Sequence, residues 1–490
     1  MIAAVANSLW LAGCAPELVR FHRATRRVRE EQESLLRQMV ARNADSEFGR
    51  AHHFAAIRSV DDYRERVPLR TYEELAPWLT RGAATCEPVR LFEPTGGSSG
   101  AAKLIPYTAS SQREFQRAIR SWIADLLLHD RRLLGGRAYW SVTPPVEQRT
   151  SIDGIPVGFD SDAAYVGGWQ QRLLERALIV ATSELAHARD LRLISVWNPT
   201  VLMMLVERLG RAPAELWPKL RLISCWTDAN AAGPAARLAT LFPNVRIQGK
   251  GLIATEGFVS IPLHGADGPA LAIRSHFFEF LPDDDATSPR LAHELEPGRR
   301  YTVVLTTGAG LYRYRLNDVV EVTGRVHDCP TIRFVGRQHV SDWFGEKLHE
   351  VYVAEVLREA FAACEVAPSF AMLACDPDIP AYVLYVDAPH SDARLGAAVD
   401  RIEEALRRTF HYDHARQLGQ LRAVRVMRVS RGAERYVLAA TERGQRAGDV
   451  KPVALDRRAG WSQVFALMEC PGTPIAPPQI RAASLLGSFV

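Results

Sequence analysis

Short apolar runs closed by Gly, Pro or Asn alternate with helix-patterned segments through the middle of this chain, and no other feature limits its fold as strongly. The runs are AYWSV at 138–142, LRLISCW at 220–226, VRIQ at 245–248, GFVSIPL at 257–263 and YTVVLTT at 301–307, with helical patterns at 199–209 and 233–242 among them. Strands interleaved with helices specify an α/β architecture around a substantial sheet. Upstream, REEQESLLRQMVAR at 29–42 has apolar residues at helical spacing, acids early and an Arg late, as the helix dipole prefers. Residues 110–129 read as a second strong helix, opened by a Ser cap.

The texture changes after Arg337. A helix is expected over 346–363. FAMLAC at 370–375 and AYVLYV at 381–386 flank a Pro-rich turn, a helix covers 393–410, and LRAVRVMRV at 421–429 reads as a strand. The expected organisation is a large N-terminal domain of mixed sheets and helices, residues 1–337, followed by a small mobile α+β domain, residues 338–490. Gly336 and Gly345 bracket a bendable stretch between them.

Composition narrows the function. Hydrophobic residues make up 47% and charged residues 24% of 490, which suits a soluble chain with a large core. With 60 Lys+Arg against 56 Asp+Glu there is no basic excess, so nucleic acid is not an expected partner. The seven cysteines form no CxxC pair, which fits a reducing compartment better than a disulfide framework. LAGC at 11–14 imitates a lipoprotein cleavage box, but the first basic residue, Arg20, comes after it, so the positive n-region of a signal is missing. No apolar run reaches the 18 or so residues of a membrane span. A cytoplasmic location without a membrane partner is expected, with the N-terminal helix packed on the body; oligomeric state is not legible.

Four segments carry chemistry. TGGSSGAAK at 95–103 is a loop rich in glycine and hydroxyls whose backbone N–H groups suit a polyphosphate, with Lys103 as a point charge. It does not fit the P-loop spacing. Gly96-Gly97-Ser98-Ser99-Gly100 also satisfies GxSxG, but a nucleophile elbow needs a strand before it and a helix after it, and Pro106 cuts off that helix. GKGLIATEG at 249–257 offers Thr255 for a phosphate oxygen and Glu256 for a magnesium ion. YRYRLNDVVEV at 312–322 places Asp318 just before a strand, where a carboxylate can accept both hydroxyls of a ribose. FVGRQHVSDWFGEKLHEVYV at 334–353 opens the C-terminal unit. The histidines form no HExxH; His411 and His414 read as surface helix residues.

In this order and at these separations, the four segments resemble the adenylate-forming ligase superfamily. QESLLRQMVARNADSEFGRAHHF at 32–54, DYRERVPLRTYEELAPWLTRG at 62–82, LYRYRLNDVVEVTG and FVGRQHVSDWFGEKLHE further resemble one branch, the Gretchen Hagen family of acyl-acid amido synthetases known from auxin conjugation. The resemblance implies ATP as substrate with Mg2+, adenylation of a carboxylic acid, and transfer of the acyl group to an amine, above all an amino acid. An acyl- or aryl-CoA ligase and a non-catalytic nucleotide-binding relative are the alternatives. Carried over by motif, Ser98, Ser99, Gly100 and Lys103 contact phosphates, Thr255 and Glu256 handle the α-phosphate and metal, Asp318 holds the ribose, and Arg337 assists at the hinge. Lys451, in GDVKP, stands where these ligases carry a late catalytic lysine. Leu252 occupies the position of the usual adenine-stacking aromatic.

Overall fold

The computed structural model describes residues 2–95, 103–140, 151–152, 154–159, 162–283, 285, 287–338, 340–445 and 447–466. One layer is a four-stranded parallel sheet of Arg137–Trp140, Leu191–Ser195, Leu222–Cys225 and Arg246–Gly249, in that order. Helices cover both faces. Trp140, Leu193 and Leu222 join the core that holds the long helix Ala109–His129; Tyr139, Ile194 and Ile223 face helices Pro199–Leu209 and Ala232–Leu241. A strand covered on both sides is apolar at consecutive positions, which is why these runs lack alternation.

A second layer is a seven-stranded antiparallel sheet in the order Ser260–Ile261, Ala270–Leu271, Cys329–Arg337, Tyr314–Val326, Arg300–Thr306, Phe277–Pro282, Arg290–Leu291. It shares the main core with the N-terminal helices and the long helix. Beyond Arg337 a third sheet runs Arg422–Arg428, Ala381–Asp387, Phe370–Asp376, Leu455–Asp456. Leu373, Cys375, Tyr382 and Leu384 pack against helices Glu350–Ala363 and Asp392–Leu406, while Met372, Ala374, Val383 and Tyr385 pack against Gly432–Glu442 and Trp461–Ala466. This sheet group lies against the first one: Asn198 Nδ2 donates to the Val450 carbonyl at 2.8 Å.

Several expected elements differ in detail. The long helix is capped by Thr108, not by a serine: Thr108 Oγ1 accepts from Ser111 N and Ser111 Oγ accepts from Thr108 N, a reciprocal capping box. GFVSIPL is two short strands in different sheets, because Gly257–Phe258 folds back on Ile253–Ala254 before Ser260–Ile261 joins the large sheet. The helix expected from 346 starts at Glu350; Lys347 is left-handed at φ 45 and Leu348–His349 pairs with Val340–Ser341. The helix expected over 393–410 closes at Leu406, where the Thr409 hydroxyl donates to the Leu406 carbonyl, and Phe410–Gln417 is a separate helix with His411 and His414 exposed.

The N-terminal helix Ile2–Ala24 does pack on the body, through Trp10, Cys14, Leu18 and Phe21, and leaves Ile2, Val5, Leu9 and Val19 exposed. By length and composition it is apolar enough to cross a membrane, with 33% of its most apolar window buried, which corrects the expectation that no segment reaches that length. Asn7, Ser8 and Glu17 interrupt the run as read residue by residue, yet they leave its average hydropathy high.

Candidate active site

The glycine-rich loop hangs from a hairpin. Leu91–Pro94 pairs antiparallel with Leu104–Tyr107, and the Thr95 N–H donates to the Lys103 carbonyl at 2.8 Å across the loop's mouth. Ser98, Ser99 and Gly100 lie outside the described residues. A strand, Leu104–Tyr107, and not a helix follows this segment, so its context is not that of a nucleophile elbow.

Lys103 turns toward the centre of the molecule. Its Nζ donates to Tyr314 Oη at 3.2 Å and sits 5.5 and 5.7 Å from the ring centres of Tyr72 and Tyr314. Tyr314 Oη in turn donates to Glu256 Oε1 at 3.1 Å. Thr255 and Glu256 form the turn between Ile253–Ala254 and Gly257–Phe258, so both side chains are presented at a hairpin tip.

That tip is anchored by residues the sequence did not flag. The Phe258 N–H donates to His276 Nε2 at 3.0 Å. The proton is therefore on Nδ1, which donates to Glu114 Oε2 at 3.0 Å. Glu114 also accepts from Gly308 N at 2.9 and 3.0 Å. His276 and Glu114 are buried, and they tie the Glu256 hairpin to the long helix and to the turn that leads into Tyr314.

Asp318 is inside strand Tyr314–Val326, which corrects its expected place before a strand. The reading failed because Asn317 takes a left-handed φ of 64 and breaks the regular pattern, giving the strand a local turn-like sequence. Asp318 is opposite Arg337 in the ladder, and Arg337 Nε donates to Asp318 Oδ1 at 2.9 Å. Asp318 is fully buried, and its Oδ2 has no hydrogen-bond partner among the described residues. An orphaned buried carboxylate oxygen is costly, so a donor from a ligand is the natural complement.

Lys451 arrives from a distant segment. It is half-buried, with Nζ 5.5 Å from the Trp226 ring centre. Burial pushes its ammonium down to about 8, Arg337 acts in the same direction, and Asp318 and Glu256 oppose them. Of the expected residues, the structure thus links Lys103 to Glu256 through Tyr314 and brings Asp318, Arg337 and Lys451 into the same field.

Two contiguous clefts open here. One, of about 490 Å3 with its open mouth included, is lined by Trp226, Asp228, Leu252, Phe334 and Lys451 among others. Asp228, whose carboxyl burial raises, accepts from Phe334 N at 3.2 Å. Leu252 is the buried aliphatic wall, and Trp226 and Phe334 supply aromatic surface from other strands. The only sequence signal for Trp226 was its place just past the carboxyl end of a parallel strand, where ligands of α/β sheets bind. The second cleft continues from Lys451 past Arg337 to Glu350.

This architecture is shared with solved ligase structures. The structure of AtGH3.15 acyl acid amido synthetase in complex with 2,4-DB superposes with a TM-score of 0.77 over 93% of this chain and 96% of that one, at 17% identity. A 2-hydroxyisobutyryl-CoA ligase in the postadenylation state gives 0.55 over 89% and 90%, at 13% identity. The fold is that of the adenylate-forming ligases. Residues 17–173 match the GH3 family N-terminal domain and residues 270–337 the GH3 family central domain. Among relatives, GH3.10 of Oryza sativa subsp. japonica is 24% identical over 380 residues, covering 63% of this chain and 78% of its own. The indole-3-acetic acid-amido synthetase GH3.4 of Arabidopsis thaliana is 41% identical over 71 residues, 13% of this chain and 12% of that one.

Proposed function

We propose that this chain uses ATP to convert a carboxylic acid to an acyl-adenylate and then transfers the acyl group to an amine, in the first place an amino acid, forming an amide. The observation that supports this reading is a chain of contacts between separate segments: Lys103 reaches Glu256 through Tyr314, Arg337 holds Asp318, and Lys451, which lines a cleft with Arg337, feels the charges of Arg337, Asp318 and Glu256. Residues 1–337 form the adenylation domain and residues 338–490 the small mobile domain that brings Lys451 to it.

The chemistry assigns the roles. A carboxylate must approach a polyphosphate, so anion meets anion, and fixed cations must offset the charge. Lys103 and the loop with Ser98, Ser99 and Gly100 hold the β- and γ-phosphates. Thr255 donates to the α-phosphate, and Lys451 neutralises the pentacoordinate phosphorus. Asp318 Oδ2 accepts from the ribose hydroxyls while Arg337 fixes its partner oxygen. Adenine enters between Leu252 and the Trp226–Phe334 surface. Magnesium is commonly held by one or two carboxylates plus substrate phosphates, and Glu256 at a hairpin tip fits that set as the single protein carboxylate, supplying charge neutralisation of the departing pyrophosphate.

Two substitutions separate these roles. Glu256→Gln is expected to lower the rate of carboxylate-dependent pyrophosphate exchange about 10²-fold with a small change in ATP affinity. Asp318→Ala is expected to weaken ATP binding by about 1.5–3 kcal/mol, the cost of a hydrogen bond to a charged group. Isothermal titration with ATP and exchange with labelled pyrophosphate measure both; wild-type values in both variants would remove these residues from the site. Amide against thioester is decided by mass spectrometry of products from acid, ATP and either amino acids or CoA. Accumulating acyl-CoA without amide would reassign the chain to the CoA ligases.

A further inference from the structure

Glu350 closes the segment FVGRQHVSDWFGEKLHE, where it was given no role, yet like Asp318 it is a buried carboxylate with one oxygen unpaired among the described residues. It opens helix Glu350–Ala363, is 4% exposed, and its Oε2 has no hydrogen-bond partner among the described residues. The Ala454 N–H donates to the same carboxyl group. It lines the second cleft together with Arg337, Tyr436, Gln445 and Lys451.

The groups around it explain its state. Burial pushes the Glu350 carboxyl up to about 7; Asp318 and Asp456 push the same way, and Arg337 and the Ala454 N–H pull against them. Tyr436 and Lys451 complete the charged and titratable wall. A buried carboxylate kept with one unsatisfied oxygen beside a cleft is costly as structure and useful as a site.

We propose that this cleft is the acceptor subsite, where Glu350 Oε2 accepts a hydrogen bond from the ammonium group of an amino acid and takes one of its protons. The proposal rests on the adenylation reading above and adds the acceptor to it. An amine is protonated at neutral pH and has no lone pair to offer. Transfer of one N–H proton to the Glu350 carboxylate frees that pair. The nitrogen then bonds to the acyl carbon, the bond from that carbon to the phosphate oxygen breaks, and AMP leaves. The second proton lost by nitrogen departs with AMP or to solvent. Arg337 and Lys451 line the same cleft, and their positive charge suits the acceptor's own carboxylate.

The test separates the two half-reactions. With full-length enzyme, a panel of aryl and alkyl acids and the common amino acids, Glu350→Gln is expected to lower amide formation by about 100-fold more than it lowers pyrophosphate exchange. Glu350→Asp should recover part of the loss. Hydroxylamine is uncharged at pH 7.5 and needs no proton acceptor, so hydroxamate formation should continue in Glu350→Gln. The proposal is overturned if amide formation persists in Glu350→Gln, if exchange and amide formation fall together, or if the hydroxamate is lost with the amide. Wild-type enzyme that exchanges no pyrophosphate with any acid overturns the adenylation reading itself, a separate outcome.

Discussion

Replacing Lys451 with methionine is expected to slow adenylation by about 10²–10³-fold, the usual effect of deleting one fixed donor to a developing negative charge. The ammonium feels the charges of Arg337, Asp318 and Glu256 and lies 5.5 Å from the Trp226 ring centre, where the proposed function puts the α-phosphate of ATP. In the proposed role the lysine acts in its protonated form. With the ammonium pushed down to about 8, adenylation should decline as pH rises through 8 and beyond, while a lysine in water would hold its charge beyond pH 10. The same displacement carries a stability consequence of opposite sense. The folded-state value is below the unfolded one, so the cost of confining the charge is fully present below pH 8 and disappears above 10.5. Methionine keeps the stem and removes the charge, so the variant should be at least as stable as wild type at pH 7, by on the order of 1–3 kcal/mol. Urea unfolding and pyrophosphate exchange on the same samples measure the pair of effects. A variant that stays active, or one that is less stable, would show that Lys451 is a surface residue with no part in the chemistry.

The second large effect concerns the turn that delivers the site strand. Arg313 is buried in a left-handed conformation, φ 48, immediately before Tyr314. Its Nε and Nη2 donate to Glu279 at 2.8 and 3.1 Å, and its Nη1 donates to the Val67 carbonyl at 2.8 Å. Arg64 Nε donates to the same carboxylate at 2.8 Å. Glu279 is 1% exposed, so Glu279→Ala leaves two guanidinium groups facing an empty acceptor in a dry interior. Removing one member of such a pair costs about 3–5 kcal/mol, far more than the net worth of the pair itself. ATP affinity should fall as well, because Tyr314 and Asp318 lie on the strand that Arg313 launches. Glu279→Gln, which keeps an acceptor oxygen, should lose less. An unchanged urea midpoint in Glu279→Ala would mean that the cluster relaxes or admits water.

Much of this was legible in the chain. Three of the four parallel strands and two of their helices came from continuous apolar runs, because both faces of the sheet are covered; the second strand in the sheet, Leu191–Ser195, was not among the runs read. The strands Leu91–Pro94 and Leu104–Tyr107 flank the glycine-rich segment, and Glu256, Asp318 and Arg337, singled out by short motifs, are joined to neighbouring site candidates by hydrogen bonds. Where the reading slipped, the cause was local conformational freedom. Asn317 and Lys347 adopt left-handed backbone, which displaced the start of one strand past a residue of the site and delayed a helix. Thr108 took the cap because its partner Ser111 lies at the reciprocal spacing.

Residue types and neighbour spacing determined most of the elements that form and singled out the glycine-rich segment and the carboxylates Glu256 and Asp318 as candidates. Those are matters of backbone propensity and side-chain chemistry, written within a few positions of each residue. Only the tertiary structure decided that Lys451, singled out in GDVKP by resemblance alone, comes within the field of Arg337 and Asp318; that Trp226 and Phe334 line a cleft with Leu252, where an aromatic was expected; that His276 and Glu114 hold the Glu256 hairpin; and that Glu350 is buried with an oxygen to spare. Proximity of this kind, and the shifted protonation that follows from it, arises when distant segments bury a common surface, and no window of the sequence contains both partners.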